Sequence, residues 1–139
     1  LDLLGLSAYP YGWAYPDGKL DPIPEDFFKI ALSFGKPIGV TESGAPSRSF
    51  TALGRKYEFS EDYQAQWMGF LLHQANLHRF RFVVNWAAID FDELLQAIPS
   101  PEMQEFARFW AWTGLGRSDG CPKRALSVWE AYRQLPRGQ

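Results

Sequence analysis

The sequence predicts an α/β fold in which parallel strands alternate with helices. Short apolar runs rich in β-branched residues are each followed by a segment whose apolar residues have helical spacing. Strand and helix repeat at intervals of roughly 35–45 residues, which is typical of a parallel sheet covered by helices. A (β/α)8 barrel uses about 31 residues for each unit, so the 139 residues correspond to three units with long loops.

The beginning of the chain favours part of a barrel over a complete small domain. The chain opens on a predicted strand, and no Met precedes it. Three strands by themselves would also leave the edges of the sheet exposed. We therefore expect residues 1–139 to form a single partial domain of the (β/α)8 TIM-barrel type, containing only the sixth to eighth βα units. A three-stranded doubly wound domain is the alternative.

The predicted strands cover approximately residues 2–9, 37–42 and 81–86. Each is an apolar run of strand length, and Pro or Gly bounds the first two. The segments 10–24 and 43–59 are rich in Pro, Gly and small polar residues, so they are predicted to be long loops.

The predicted helices begin at recognisable N-terminal signals. Pro24 suits the first turn of a helix, where its missing N–H would be unpaired in any case. Ser60 is the predicted N-cap of the next helix, which runs to about His78 and has two acids in its first turn. Apolar residues at helical spacing predict two further helices, over residues 102–112 and 123–135.

Composition excludes several classes of partner. The formal charge of −2 gives no electrostatic footprint for nucleic acid or an anionic membrane surface. No apolar run approaches the roughly 20 residues that a membrane span needs.

His73 and His78 are five residues apart and would lie on different faces of a helix, so they predict no metal site. We expect no cofactor, no metal, no nucleic acid and no membrane partner.

Each predicted strand ends on a distinctive side chain, namely Tyr9, Glu42 and Trp86. Parallel strands point the same way, so these three side chains are expected to meet at one edge of the sheet. A carboxylate beside a phenol and an indole suits the cleavage of glycosides. The carboxylate attacks or stabilises the anomeric centre, the phenol hydrogen-bonds it, and the indole packs on the sugar.

Two further aromatic residues follow the first strand and are candidates for substrate binding. Aromatic residues make up 17% of the chain, and their faces are suited to packing against sugar rings. Tyr11 and Trp13 are therefore predicted to line the site together with Trp86, although loop packing is an equal or better interpretation for both.

Other polar residues near the strand ends receive structural interpretations. Asp90 and Asp92 are predicted to cap the helix after the third strand. Ser43 and Arg48 are assigned to a solvated loop. Asn85 precedes Trp86 and is expected to point to the opposite face of the strand.

Three stretches, residues 4–11, 37–44 and 82–86, resemble the C-terminal part of the retaining glycoside hydrolases built on (β/α)8 barrels. That large clan includes cellulases, mannanases and β-1,4-galactanases. The segment from Gly114 to Trp129 is similar to the closing helix of these enzymes and the turn before it.

This resemblance implies that Glu42 is the nucleophile, that Tyr9 positions it and that Trp86 forms the floor of the reactive subsite. It also implies an endo-type enzyme that cleaves β-linked oligo- or polysaccharide and is secreted or periplasmic. The family's second carboxylate follows Asn on the fourth strand, and the sequence contains no Asn-Glu pair. A retaining mechanism needs both carboxylates, so we expect the chain to be inactive without the missing N-terminal part of the barrel.

Two alternative functions would not involve catalysis. A carbohydrate-binding or scaffold protein would present the same edge to a sugar and show affinity without turnover. A free-standing α/β module would instead bind another protein.

Overall fold

The computed structural model describes residues 2–12 and 23–135. In chain order the strands are β1 (Leu4–Ala8), β2 (Ile38–Ser43), β3 (Arg48–Ala52), β4 (Arg55–Ser60) and β5 (Val83–Asn85). The helices are α1 (Lys29–Ser33), α2 (Glu61–Leu77), α3 (Pro101–Ala111) and α4 (Arg124–Arg133). Short 3-10 segments cover Pro10–Gly12 and Asp92–Ala97.

Three strands form a parallel sheet in the order β1, β2, β5. Leu6 pairs with Val40, and Val40 pairs with Val83, so the middle strand is β2. Among the described residues β1 and β5 are the edges of this sheet, which closes no barrel there. The partial (β/α)8 barrel therefore stays a prediction.

Helix α2 covers one face of the parallel sheet. Val40 is fully buried and Ala8 is 3% exposed, and both belong to the core that includes Trp67 and Leu71 of α2. A second, smaller cluster joins α2 to α4 through Met68, Leu115 and Ala125. On the other face, Gly5 and Ser7 of β1 and Val84 of β5 are exposed.

The segment 43–59, predicted as a loop, contains an antiparallel hairpin, so that prediction is wrong. Strands β3 and β4 pair around a two-residue turn, in which Leu53 has φ 51° and Gly54 has φ 72°. Positive φ at both turn residues fits the twist of a tight hairpin. Leu is an unusual residue in that conformation, so the pattern of this segment does not indicate a tight hairpin turn.

The hairpin packs against α3. The guanidinium of Arg108 donates from Nη1 to the Thr51 carbonyl oxygen at 2.6 Å, and the Leu53 N–H donates to Oε2 of Glu105 at 3.0 Å. The rings of Phe50 and Phe109 meet edge to face with centroids 5.1 Å apart. We call this unit, residues 48–60 with α3, the hairpin–α3 wall.

The predicted cap of α2 is confirmed, whereas α1 is shorter than predicted. Ser60 Oγ accepts a hydrogen bond from the Tyr63 N–H at 3.1 Å, and α2 ends at Leu77. Residues 25–28 form turns rather than helix. Phe28, at 2% exposure, packs into the core directly before α1 begins.

Asp90 and Asp92 are not helix caps, because the 3-10 segment that begins at Asp92 has Phe91 at its N-cap position and no side-chain cap. Asp90 Oδ1 instead accepts from Lys123 Nζ at 2.6 Å and from the Gly114 N–H at 2.9 Å. Asp92 Oδ2 accepts from the Trp112 indole N–H at 3.1 Å. Both carboxylates thus join the segment after β5 to the segment before α4.

The Asp90–Lys123 pair is almost completely buried, with side chains 5% and 1% exposed. Burial raises the pKa of Asp90 and lowers the pKa of Lys123, while the hydrogen bond and opposite charge of each partner act against these shifts. Lys123 Nζ also donates to the Trp112 carbonyl oxygen at 3.1 Å. The charges are therefore compensated inside the protein rather than by water.

Replacing Lys123 with Met should lower the free energy of unfolding by about 3–5 kcal/mol, because it leaves the Asp90 carboxylate buried without its counter-charge. Urea unfolding at neutral pH measures the change. Adding Asp90→Asn to this variant should recover part of the loss.

The matched control is Lys56→Met. Lys56 Nζ lies 2.8 Å from Glu58 Oε1, but the side chains are 68% and 51% exposed. Breaking an exposed pair should cost about 1 kcal/mol or less. Equal losses of unfolding free energy in the two lysine variants would show that burial does not govern the contribution of the Asp90–Lys123 pair.

Candidate active site

The structure brings Tyr9 and Glu42 together at the C-terminal end of the parallel sheet. Ser7 pairs with Glu42 and Ala8 with Ser43, so β1 and β2 end at the same level. Tyr9 directly follows β1, and its hydroxyl donates a hydrogen bond to Oε1 of Glu42. A carboxylate that accepts this bond is held in one orientation at the edge of the sheet.

A β-bulge in β2 turns Glu42 toward this position. Leu6 pairs with Val40, whereas the next residue of β1, Ser7, pairs with Glu42, so Thr41 is an extra residue. Side chains alternate along a regular strand, and a bulge interrupts that alternation. Glu42 therefore does not share the helix-facing side of Val40.

The opposite orientation of Ser43 confirms this shift. Ser43 is completely buried, and its Oγ accepts a hydrogen bond from the indole N–H of Trp67 in α2 at 3.0 Å. Its neighbour Glu42 is only partly buried and bonds Tyr9 on the other face. The assignment of Ser43 to a solvated loop is therefore wrong.

Tyr9 is held between β1 and the hairpin–α3 wall. Its ring stacks on Tyr11 with centroids 5.3 Å apart, and Trp110 of α3 meets it edge to face at 6.3 Å. Burial raises the pKa of Tyr9, and its hydrogen bond to Glu42 and the charge of that carboxylate raise it further. Trp110 has a smaller effect, which lowers it. The Tyr9 phenol therefore keeps its proton and acts as a hydrogen-bond donor.

The structure gives Tyr11 a supporting position. Its hydroxyl donates to the Phe109 carbonyl oxygen, and its ring meets those of Phe59 and Phe109 edge to face. These contacts fix the residue against which Tyr9 stacks. Contact between Tyr11 and a sugar stays a prediction, and Trp13 lies outside the described residues.

Trp86 follows β5, beside the end of β2. Its N–H donates to the Ser43 carbonyl oxygen at 2.6 Å, and its side chain is 47% exposed. Gly44 is required at this crossing, since a Cβ there would lie 2.7 Å from the Trp86 carbonyl oxygen. The backbone of Trp86 is therefore fixed beside the end of β2, while about half of its side chain is exposed.

Asn85 serves the fold, as its predicted orientation implied. Its Nδ2 donates to the carbonyl oxygens of Ala87 at 2.9 Å and Thr113 at 3.2 Å. Arg48 is the first residue of β3 rather than part of a loop, and its guanidinium carbon lies 5.0 Å from the centre of the Trp112 ring.

Neither a metal centre nor a membrane helix is present in the part of the chain that the structure describes. No group of three or more His, Cys, Asp or Glu side chains there could hold a metal ion. No helix there is both long and apolar enough to cross a membrane.

No protein-family model matches the sequence, and no curated protein matches it. Solved structures do share its fold. A β-glucuronidase from Bifidobacterium dentium, solved with coumarin-3-O-glucuronide, superposes with a TM-score of 0.64 at 21% identity. A GH2 β-galacturonidase from Eisenbergiella tayi superposes with a TM-score of 0.61 at 24% identity.

A β-glucuronidase from Faecalibacterium prausnitzii has the same fold over this stretch, with a TM-score of 0.64 at 21% identity. The B. dentium and F. prausnitzii matches cover 100% of this chain, and the E. tayi match covers 99%. The chain spans only 22%, 23% and 24% of the B. dentium, F. prausnitzii and E. tayi proteins, respectively. At such low identity the similarity establishes a common fold for this stretch.

The raised pKa of Tyr9 predicts a loss of stability in alkali. Above about pH 10 an unfolded tyrosine releases its proton, whereas folded Tyr9 retains it. The folded state then binds more protons than the unfolded state, so the free energy of unfolding falls as the pH rises. In Tyr9→Phe this contribution is absent, and the decline should be shallower. Urea unfolding between about pH 9 and about pH 11 measures both slopes; parallel slopes would contradict the prediction.

Proposed function

We propose that this chain is part of a glycoside hydrolase and that Glu42 is its nucleophile. The observation that carries the proposal is the carboxylate of Glu42, held by the Tyr9 hydroxyl at the C-terminal end of a parallel sheet. The fold shared with two β-glucuronidases and a GH2 β-galacturonidase supports the same reaction class.

In the proposed reaction, a carboxylate oxygen of Glu42 attacks the anomeric carbon of a β-glycoside. The bond to the leaving-group oxygen breaks while an acid protonates that oxygen, and a glycosyl ester of Glu42 remains. Water, deprotonated by the same second group, then attacks the anomeric carbon and releases Glu42 and the sugar. The configuration at the anomeric carbon is retained.

The second carboxylate would lie about 5–5.5 Å from Glu42. Two acids that follow β5 are already engaged: Asp90 pairs with Lys123, and Asp92 accepts from Trp112. We therefore propose that an additional segment of a larger protein supplies the acid. Further strands pairing with the edges of β1 and β5 would complete a (β/α)8 barrel and enclose the exposed face of the sheet.

The substrate is proposed to be a β-linked glycoside. The half-exposed indole of Trp86 can pack on the sugar ring. The solved structures with the same fold carry the names of enzymes that act on uronides, and one was solved with galacturonate. Endo-type cleavage of a polysaccharide is the finer form of the proposal, and a comparison of polymeric with aryl substrates tests it.

The decisive experiment uses the complete natural protein with a panel of aryl β-glycosides, including glucuronide and galacturonide, and soluble β-glycan polymers. Glu42→Gln should lower the turnover of the cleaved substrate at least about a thousandfold, because an amide cannot act as the nucleophile. A 2-fluoro glycoside of the cleaved sugar should label Glu42 covalently, as peptide mass spectrometry would show. Residues 1–139 alone should be inactive.

Glu93→Gln is the matched control, because Glu93 is exposed in the 3-10 segment after β5. This variant should retain wild-type turnover. Near-normal hydrolysis by Glu42→Gln would refute the assignment. Affinity for sugars without turnover in the complete protein would instead identify a carbohydrate-binding protein.

A further inference from the structure

Next to the candidate site lies the indole N–H of Trp110, a buried polar group. Its Nε1 is shielded from solvent and has no partner within ordinary hydrogen-bond geometry among residues 2–12 and 23–135. Buried donors are nearly always paired, because an unpaired one loses its hydration without compensation. An unpaired buried donor next to a candidate functional group therefore needs a structural explanation.

Trp110 is held by its neighbours in α3 and on β1. Its ring meets Phe106 edge to face at 4.9 Å, one helical turn away, and meets Tyr9 at 6.3 Å with an interplanar angle of 88°. This edge-to-face contact places the two rings side by side, and the interaction of the Trp110 side chain with the Tyr9 hydroxyl lowers the pKa of Tyr9. Tyr9 in turn donates its proton to Glu42.

We propose that Trp110 is a positioning residue: its indole N–H donates to the Tyr9 oxygen and so keeps the Tyr9 O–H directed at Glu42. This inference rests on the proposed role of Glu42 as nucleophile. A phenol has one proton to donate and lone pairs with which to accept. When the indole N–H donates to the phenol oxygen, turning the O–H away from Glu42 breaks two hydrogen bonds, the one to Glu42 and the one from Trp110.

The need for such a residue follows from the charge change at Glu42. When Glu42 forms the glycosyl ester, it loses its negative charge, and its hydrogen bond to Tyr9 weakens. When water releases the sugar, the carboxylate returns and must recover the same orientation. A phenol oxygen fixed by Trp110 keeps the donor in place through both steps. Trp110 itself touches neither the sugar nor Glu42 in this scheme.

A double-mutant cycle in the complete natural protein tests the inference, with Trp110→Phe and Tyr9→Phe made singly and together. Trp110→Phe keeps an aromatic ring and removes the N–H. It should lower kcat about two- to tenfold, the usual range for one neutral hydrogen bond, with little change in KM. In the Tyr9→Phe background, which has no phenol oxygen, the same substitution should have no further effect.

Trp129→Phe is the matched control, since Trp129 lies in α4 and packs in the other hydrophobic cluster. It should leave kcat unchanged in both backgrounds. An equal loss from Trp110→Phe with and without the Tyr9 hydroxyl would overturn the proposal, because Trp110 would then act independently of Tyr9.

A second measurement needs no activity and so separates this inference from the proposed function. A fluorinated tyrosine at position 9, whose phenol is more acidic, can be titrated by fluorine NMR. Loss of an N–H donor disfavours the phenolate, so Trp110→Phe should raise the pKa of this phenol, whereas Trp129→Phe should not. An unchanged titration would overturn the proposal even in an active glycosidase, and a raised one would support it even if hydrolysis were never found.

Discussion

The change of side-chain alternation at Thr41 is the constraint on which the candidate site depends. Val40 and Ser43 both face the helices, so the strand between them must contain one residue more than a regular alternation allows. The buried Ser43 hydroxyl is the partner of the Trp67 indole, which fixes α2 against the end of β2. Glu42 is left on the opposite face, where the phenol of Tyr9 meets it.

Aromatic packing from three separate segments then holds that phenol. Tyr11 follows β1, Phe59 belongs to the hairpin and Phe109 to α3, and each ring contacts at least one of the others. Trp67 is completely buried and Trp112 is 9% exposed. Much of the high aromatic content therefore builds and supports the edge of the sheet, whereas the side chain of Trp86 is 47% exposed.

The segment after β5 is fixed by buried charge and backbone pairing together. Asp90, which belongs to this segment, pairs with Lys123 at the start of α4, and Ile89 forms an isolated β-bridge with Gly116. The Asp90 carboxylate is therefore neutralised by Lys123, whereas the Glu42 carboxylate accepts its hydrogen bond from the Tyr9 phenol. Rigid supports around a reactive group keep its geometry within the narrow limits that catalysis demands.

The sequence by itself determined the local elements of this protein. Apolar runs marked the three parallel strands, Ser60 marked the start of α2, and the strand ends at Tyr9 and Glu42 pointed to a shared edge. These features follow from periodicity and capping, which act over a few neighbouring residues. They indicate the candidate carboxylate and its phenol partner from the sequence alone.

Only the tertiary structure decided the face on which Glu42 lies, the hairpin in the segment after it and the pairing of Asp90 with Lys123. If the side-chain alternation of Ile38 and Val40 continued, Glu42 would face the helices. The bulge that prevents this is visible only in the pairing of β2 with its neighbouring strand. The hairpin turn depends on Leu53 adopting a conformation that Leu rarely adopts, and the buried ion pair joins residues 33 positions apart. The face of Glu42 and the ion pair are set by contacts between distant segments, and the hairpin is set by an unusual backbone conformation, so local sequence patterns indicate none of the three.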